Sequence, residues 1–529
     1  MARRNYKTNN TEVDSKEVTK RKRNNASAKR SRNTEVDSEM KSGKFNDPAW
    51  YTRASDLTLN AGNFSFNNAA GMPLNNLEGA SGESFTVPGI VSATYSMVPG
   101  VTWDNANSAV NLAARALYDK VNYKNSRNFS YDAPDLMMYV YGVSSCYALW
   151  AYMSRIYGVM NTYSVTNRYI PDALVHAMGM NPKEIRTNMA DFLYHINMFA
   201  RRVNALPVPD DLPLFSRYMW MPMNVWMDSE SKKAGLFLYT PSYFWQYVEN
   251  DTTGLASYLK PYTWGVTQHT LLDLYTMCND LVEALLGSQD INNMGSDILK
   301  AYEGKIVQLP GIDPGYVVTP QYSAEVLQQF HNSMRITAST VSKIPTTGTW
   351  TAGTYGIIHQ SNAKDYIEFK YYTSDSTETK FKETSNKILD AFSDSPSPED
   401  VFVMTRFMFS ADGGNIMSCG TEIINTMWVV YFASDGSTVL SSLPEYITTL
   451  DVDGTAGTIL DFLEAQSHLT FFTNAPLTLG VYTASSTGET DFRIVGDLTN
   501  YTTISSDSLE KLHIASMLSL FSVADTWTK

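Results

Sequence analysis

The sequence predicts an α+β protein: a mainly helical domain, a β-rich domain inserted near its C-terminal end, and a disordered basic arm at the N-terminus. Three observations carry this. Helical stripes dominate residues 46–335. Short β-type runs replace them from about 336. The first 44 residues hold 13 of the 41 Lys and Arg but only 6 of the 54 Asp and Glu, so that a net +7 precedes a net −20. With 529 residues, the chain is long enough for two or three domains. The boundaries are 1–45 for the arm, 46–335 with a C-terminal helix at 505–529 for the helical domain, and 336–504 for the β-rich one.

The arm lacks large apolar residues and cannot offset its own ordering entropy. It repeats Asn10-Thr-Glu-Val-Asp-Ser15 as Asn33-Thr-Glu-Val-Asp-Ser38. Between the copies lie Lys20, Arg21, Lys22 and Arg23, then Lys29, Arg30 and Arg32; Arg3, Arg4 and Lys7 precede them. Such clusters occur as solvated tails or nuclear-localisation signals. Attached to an acidic body, these ten side chains are read here as a nucleic-acid tether, since basic chains gain affinity by releasing counterions from phosphates without reading bases.

In the helical region, Asn181, Pro182 and Glu184 form a helix start, with Glu184 expected in a reciprocal cap. Apolar residues from Ile185 through Phe192 and Phe199 to Val203 continue the stripe, predicting one helix. A second runs from Thr270 to Leu286 and stops at Gly287. Others are expected near 106–121, 134–156, 296–303 (capped by Ser296, ended by Gly304) and 323–335. Leu136 to Ser154 contains no charge and approaches the length of a membrane span. Its four tyrosines and three serines favour a buried helix.

Beyond Ile336–Thr354, rich in Thr, Ser and Gly, strands are expected at Ile367–Tyr371, Val401–Phe409, Trp428–Phe432, Leu469–Phe472 and Leu477–Tyr482. Asp412-Gly413 and Asp435-Gly436 offer turns between them. Ile459–Gln466 reads as a short helix. From Ser506 a helical pattern returns, capped by Ser506 or Asp507, and is expected to pack back on the helical domain.

No catalytic motif is present: no GxSxG, Walker loop, GxGxxG or HExxH. Cys146, Cys278 and Cys419 are sparse and odd in number, which fits a reducing compartment and no disulfide framework. No apolar segment follows the first ten residues, so a secretory signal is not expected, and the six acids of the arm argue against a mitochondrial presequence. His176, His195, His269, His331, His359, His468 and His513 form no metal motif, and His195 is expected to be a packing residue. Asp451-Val-Asp453-Gly454 starts like a calcium loop but continues with Ala456 and Phe462 where Gly and Glu belong. Asp210-Asp211 lies in a proline-rich loop; a carbohydrate hydrolase would need such acids to converge in a deep pocket. The clusters Tyr218–Trp226 and Tyr243–Tyr247 lack interleaved basic residues, so core or subunit interface is expected rather than base stacking. No metal or cofactor is implied, and no enzyme.

Several segments resemble picobirnavirus capsid proteins. They are Asn46-Asp-Pro-Ala-Trp50-Tyr51, Tyr131-Asp-Ala-Pro-Asp135-Leu136-Met137, Asn167-Arg168-Tyr169-Ile170-Pro171, Phe215-Ser-Arg217-Tyr218-Met-Trp220, Gly287-Ser-Gln-Asp290-Ile-Asn-Asn-Met294 and Asn500-Tyr-Thr-Thr-Ile504. The similarity is strongest over 46–335, returns in the last 30 residues and is weak between. It implies a coat protein forming symmetric homodimers, sixty of which close an icosahedral shell around a segmented double-stranded RNA genome. It implies a helical shell domain and a projecting domain, matching the two regions above. The partners implied are further copies of the chain, viral RNA at the arm, and a viral polymerase on another chain. The location implied is the virion, assembled in the host-cell cytoplasm. Some relatives lose the arm by cleavage, but no residue here marks a cleavage position. The alternatives are a coat protein of a related double-stranded RNA virus group, such as a partitivirus-like one, or a non-viral nucleic-acid-binding scaffold.

Overall fold

A computed structural model of the chain describes residues 73–74, 85–86, 90–100, 107–126, 128–162, 170–230, 234–249, 257–264, 268–334, 358–360, 366–369, 387–412, 415–432, 438–442, 479–484, 490–495 and 500–523. All belong to one compact unit, Ala69–Lys529. The arm, residues 1–45, lies outside the described residues, as do the Ile336–Thr354 run, the Asp435-Gly436 turn, the Asp451–Gly454 segment, the expected 459–466 helix and the expected strand at 469–472.

Three strands, β1 (Pro73–Leu74), β2 (Phe85–Thr86) and β3 (Ile90–Met97), lead into α1 (Ala109–Asn125) and the long α2 (Ala133–Asn161). Next come α3 (Ile170–Ala177), α4 (Pro182–Thr187), α5 (Met189–Val203) and α6 (Pro213–Met223). A run of strands follows: β4 (Trp226–Met227), β5 (Leu236–Pro241), β6 (Tyr243–Val248) and β7 (Tyr258–Thr263). The helices α7 (Leu271–Leu286) and α8 (Gln289–Ala301), β8 (Gln321–Tyr322) and α9 (Ala324–His331) complete this half. The second half holds β9 (Ile358–Gln360), β10 (Ile367–Glu368), β11 (Lys387–Ala391), α10 (Pro398–Met404), β12 (Ser410–Asp412), β13 (Asn415–Ser418), β14 (Glu422–Phe432), β15 (Thr438–Ser442), β16 (Leu479–Ala484), β17 (Thr490–Val495), β18 (Asn500–Ile504) and α11 (Ser506–Leu520).

The core is organised around α2. Every residue from Leu136 to Ser154 is buried, with α1, α3, α5, α6 and α7 and strand β6 packed around it. The tyrosines expected to distinguish this helix from a membrane span do so by reaching backbone carbonyls on neighbouring segments. The Tyr139 hydroxyl donates to Pro207 O (2.7 Å), Tyr147 to Val307 O (3.0 Å), and Tyr152 to Met178 O. Among the described residues, no helix is long and apolar enough to cross a membrane.

The largest sheet has the order β15-β14-β3-β5-β4-β8. Its centre joins distant sequence: β3 pairs antiparallel with β14 and parallel with β5. Strand β14 thus shares the core of the helical half. The last helix also returns there: Phe521 meets Tyr141 edge-on (6.1 Å between ring centroids), and a Cβ at Gly100, whose φ is +89°, would strike Met517. A second sheet, β10-β9-β7-β6, pairs β7 with β9. Among the described residues, β16 and β17 pair only with each other.

Several expected elements need correction. The strands β3, β5, β6 and β7 lie inside the region read as helices. All eight residues of β3 are buried, and its polar alternate face of Ser92, Thr94 and Ser96 is buried too: Ser92 Oγ meets Thr240 Oγ1 and Ser96 Oγ meets Ser242 Oγ (2.9 Å each). The expected strand at 401–409 begins as α10 instead. Ser397 accepts from Asp400 N (3.2 Å), Asp400 reciprocates on Ser397 N (2.8 Å), and Pro398 takes the first turn. Cap chemistry overrides the β-branched composition. The 296–303 helix starts earlier, at Gln289 with Ser288 as cap, while Ser296 is internal and bonds Asn292 O (2.9 Å). The 182–203 stripe is split at Asn188, which ends α4 and precedes α5. Glu184 does not close its own cap: its carboxylate accepts from Leu271 N (3.1 Å) and so caps α7. The cap of α11 is Ser505, one residue before the expected pair.

Four asparagines each offer both an acceptor and a donor to one backbone unit, two of these units on strands and two on irregular segments. Asn332 accepts from Asp390 N (2.8 Å) and donates to Asp390 O (2.8 Å). Asn111 does the same for Ile367 (2.8 and 3.1 Å), Asn197 for Ile312 and Asn204 for Leu309. Each mimics a rung of a β-ladder where no strand is available. Asn332→Ala should therefore strip two backbone groups in a fully buried place and destabilise the chain by about 2–4 kcal/mol, read as a lower urea midpoint; an unchanged midpoint would show that the staple is dispensable.

Candidate functional site

The ten basic residues expected to contact nucleic acid, Arg3 through Arg32, lie outside the described residues. The chemistry-bearing side chains that it does place are dispersed. Cys146, Cys278 and Cys419 are free and buried. Burial pushes the Cys146 and Cys419 thiols up to about 12 and the Cys278 thiol up as well. Among the described residues, no group of three or more His, Cys, Asp or Glu could hold a metal ion.

The histidines serve packing and local bonds. His195 is partly exposed rather than enclosed; it stacks on Tyr275 with 3.7 Å between centroids. His269 stacks on Trp264 at 3.6 Å, and burial lowers its pKa. His331 pairs with Asp390 at 2.8 Å, both fully buried. His513 is held between Ser418 Oγ (2.9 Å at Nδ1) and Thr405 O (3.2 Å at Nε2). Asp210 and Asp211 form no pocket of convergent acids: Asp211 pairs with Lys120 (2.7 Å), and Asp210 N donates to Lys305 O (3.3 Å). The aromatic clusters belong mainly to the core, with Tyr218 and Phe244 inaccessible and Trp245 nearly so.

What sequence reasoning did not find is a buried ionic junction. Glu422, at the start of β14, is inaccessible. Arg217 from α6 approaches it with Nε 3.0 Å from Oε1 and Nη2 3.3 Å from Oε2. Arg406, just after α10, places Nη2 2.8 Å from Oε2. The Thr421 hydroxyl donates to the same carboxylate, and Arg406 Nη1 reaches Ser516 on α11. Burial works to raise the Glu422 pKa, but Arg217 and Arg406 outweigh it and hold the carboxyl at about 2, against an ordinary 4.5. On the other side of the pair, burial lowers Arg217 but Glu422 more than compensates. Arg406 ends below its usual value, because burial dominates and it also feels the like charge of Arg217. No motif spacing announces this junction; Arg217 and Glu422 are 205 residues apart.

A second perturbed acid is Asp228. Burial raises it to about 6, against the hydrogen bond from Gly235 N (2.9 Å). It fastens the backbone before β5, since its own N–H donates to Gly235 O (3.1 Å). Both acids hold chain segments together.

Comparison with known proteins settles what such a fold belongs to. Residues 50–427 match the family model described as Picobirnavirus, Capsid protein. The chain belongs to the picobirnavirus capsid protein family. A curated relative, the capsid protein precursor of Human picobirnavirus (strain Human/Thailand/Hy005102/-), is 25% identical over 532 aligned residues, covering 95% of each chain. The crystallographic structure of the picobirnavirus capsid superposes with a TM-score of 0.72 at 19% identity, covering 91% of this chain and 99% of that one. The fold is shared across that low identity. The family match spans Arg217, Arg406 and Glu422 and ends inside β14. As a picobirnavirus capsid protein, the chain is a structural component of the virion.

Two outcomes are expected. Glu422→Gln leaves two arginines in the interior without their carboxylate and should cost about 3–5 kcal/mol. In the wild type, a folded pKa near 2 against 4.5 unfolded means that the stabilisation is complete above pH 4.5. It is lost as pH falls toward 2, by ~3 kcal/mol in all. Unfolding free energy measured from pH 6 to pH 2 should show this acid limb, and Glu422→Gln should flatten it. Second, all three thiols should resist Ellman's reagent in the folded chain and react on denaturation; a rapidly labelled cysteine in native protein would contradict their burial.

Proposed function

We propose that the chain assembles as symmetric dimers, sixty of which close an icosahedral shell around a segmented double-stranded RNA genome, with the N-terminal arm holding RNA by charge alone. The observation that carries the arm's role is the division of charge: net +7 in residues 1–44 against −20 in the rest. A basic segment binds phosphate by releasing counterions, and an acidic wall does not compete for the same polyanion. Arg3, Arg4, Lys7, Lys20, Arg21, Lys22, Arg23, Lys29, Arg30 and Arg32 are the contacting residues in this reading. An unfolded arm of this length spans roughly 35–40 Å, ample to leave a wall and meet a genome. Contact per arm is weak because six acids dilute it; many arms on one particle make the sum strong.

Within the same reading, residues 46–335 with the C-terminal helix form the shell, and the projection is drawn from residues 336–504. Among the described residues β16 and β17 pair only with each other, which supports placing that projection beyond β15. Strand β14 and the Glu422 junction would anchor it to the wall. The role is structural, without chemistry of its own; the polymerase resides on another chain, and assembly takes place in the host-cell cytoplasm.

The full-length chain, expressed and imaged by electron microscopy, should give closed particles; soluble monomers at every salt concentration would overturn the assembly reading. Removing residues 1–44 should leave particles but lower their RNA content several-fold, as read from the 260/280 nm absorbance ratio. Unchanged RNA content would reject the arm as tether.

A further inference from the structure

Strand β18 is exposed where its partner β11 is not. Tyr501, Thr502 and Thr503 all face solvent, Tyr501 at 63%, whereas Asp390 and Leu389, opposite Tyr501 and Thr502, are buried. Successive side chains of a strand point to opposite faces, so this run is open on both. The far edge of β11 is closed: Asn332 engages both backbone groups of Asp390, whose side chain meets His331 (2.8 Å). Because Asp390 N and O point away from β18, the Asp390–Tyr501 pair is a non-hydrogen-bonded one. The N–H and C=O of Tyr501 therefore point away from β11, and by the same alternation so do those of Thr503.

This edge is fixed in place. Asn500 N donates to Asp390 Oδ1 (3.0 Å) and its amide to Ser393 O (3.0 Å), while buried Ile504 leads through the Ser505 cap into α11, which meets the core at Phe521. Proteins ordinarily blunt such an edge with a charge, a proline or a bulge. Asn500-Tyr-Thr-Thr-Ile504 has no charge and no proline, and its register with β11 is unbroken. Its chemistry also selects the occupant. Outward donors and acceptors between uncharged aromatic and β-branched side chains fit another uncharged strand. Run antiparallel to itself, β18 is its own complement, as a two-fold contact between identical subunits of a capsid protein requires.

We propose that two copies of the chain join through β18, pairing antiparallel about Thr502 so that their β11–β18 ribbons merge into one sheet. Tyr501 of each copy lies opposite Thr503 of the other, an aromatic and β-branched cross-strand pair, and Thr502 faces its own counterpart. This pairing rests on the symmetric dimer proposed above and gives that dimer its surface.

Thr502→Cys in the full-length chain tests it. Opposite residues of a non-hydrogen-bonded antiparallel pair have Cα atoms about 4.5 Å apart, within reach of a disulfide. Mild oxidation should give a covalent dimer on a non-reducing gel. Thr503→Cys, whose counterparts are offset diagonally, should give several-fold less, and the wild type, with its three thiols buried, none. Thr503→Pro removes an outward N–H and leaves the bonds to β11 intact, so it should keep the far-UV circular dichroism spectrum but elute as a monomer. The cross-link decides the matter if Thr503→Pro does not fold. Wild-type dimers whose Thr502→Cys form gives no cross-link, or folded Thr503→Pro that still dimerises, overturn this surface and leave the dimer standing. A wild-type chain that stays monomeric overturns both.

Discussion

Glu422 is ionised in a place where no water reaches it, and the fold can keep it there only by delivering two guanidinium groups from elsewhere. A lone buried carboxylate would take up a proton; paired with Arg217 and Arg406, this one sits at about 2 instead. The consequence is topological. Arg217 comes from α6, Arg406 from the end of α10, Glu422 from β14 and Ser516 from α11. Segments separated by up to about 300 residues must all be in register before the charges are satisfied. A buried ion pair adds little net stability over a well-packed apolar contact, but any arrangement that misses a partner is strongly penalised. The junction thus acts more as a condition on correct folding than as a source of cohesion.

Cohesion comes from α2 and its surroundings. A helix buried on every side is all apolar contact, with no orientation of its own. Its tyrosines supply the orientation: hydroxyls on Tyr139, Tyr147 and Tyr152 must each find a particular carbonyl. The asparagine staples extend the same logic to the irregular stretch around 305–320, where the side chains of Asn197 and Asn204 stand in for a neighbouring strand. Gly158 on α2 shows how closely this stretch approaches, since a Cβ there would meet Val318. For a capsid subunit, such directional anchoring has an evident use. The same wall is built many times over, and a subunit with two packings would not close a regular surface.

The helices were legible because their signals are local. Thr270 with Asp273, Ser323 before α9 and the Asn181-Pro182 start are cap chemistry within four residues. The buried nature of 136–154 was legible from tyrosines that lipid would not tolerate without partners. The central strands were not: β5 is apolar nearly throughout and hard to tell from a helical stretch, while the polar face of β3 meets Thr240 and Ser242 rather than water. The 401–409 run carries β-branched residues, but the Ser397–Asp400 cap starts it as a helix. Glu184 was assigned to its own helix, and nothing nearby in sequence could show that Leu271 offers a better donor.

By itself, then, the sequence determined the charge division, the helical character of the first half, the absence of reactive motifs and, through short ordered segments, the resemblance to capsid proteins. These depend on composition or on neighbours a few residues apart. Tertiary structure alone decided that β14 lies beside β3, which residues the returning last helix meets, and that one carboxylate serves arginines from two other segments. Most of these contacts join residues more than 150 positions apart, with Arg406, 16 positions before Glu422, the exception. The energy that selects them, whether a ladder of backbone hydrogen bonds or a desolvated charge seeking its counter-ion, exists only once the chain has folded far enough to exclude water between them.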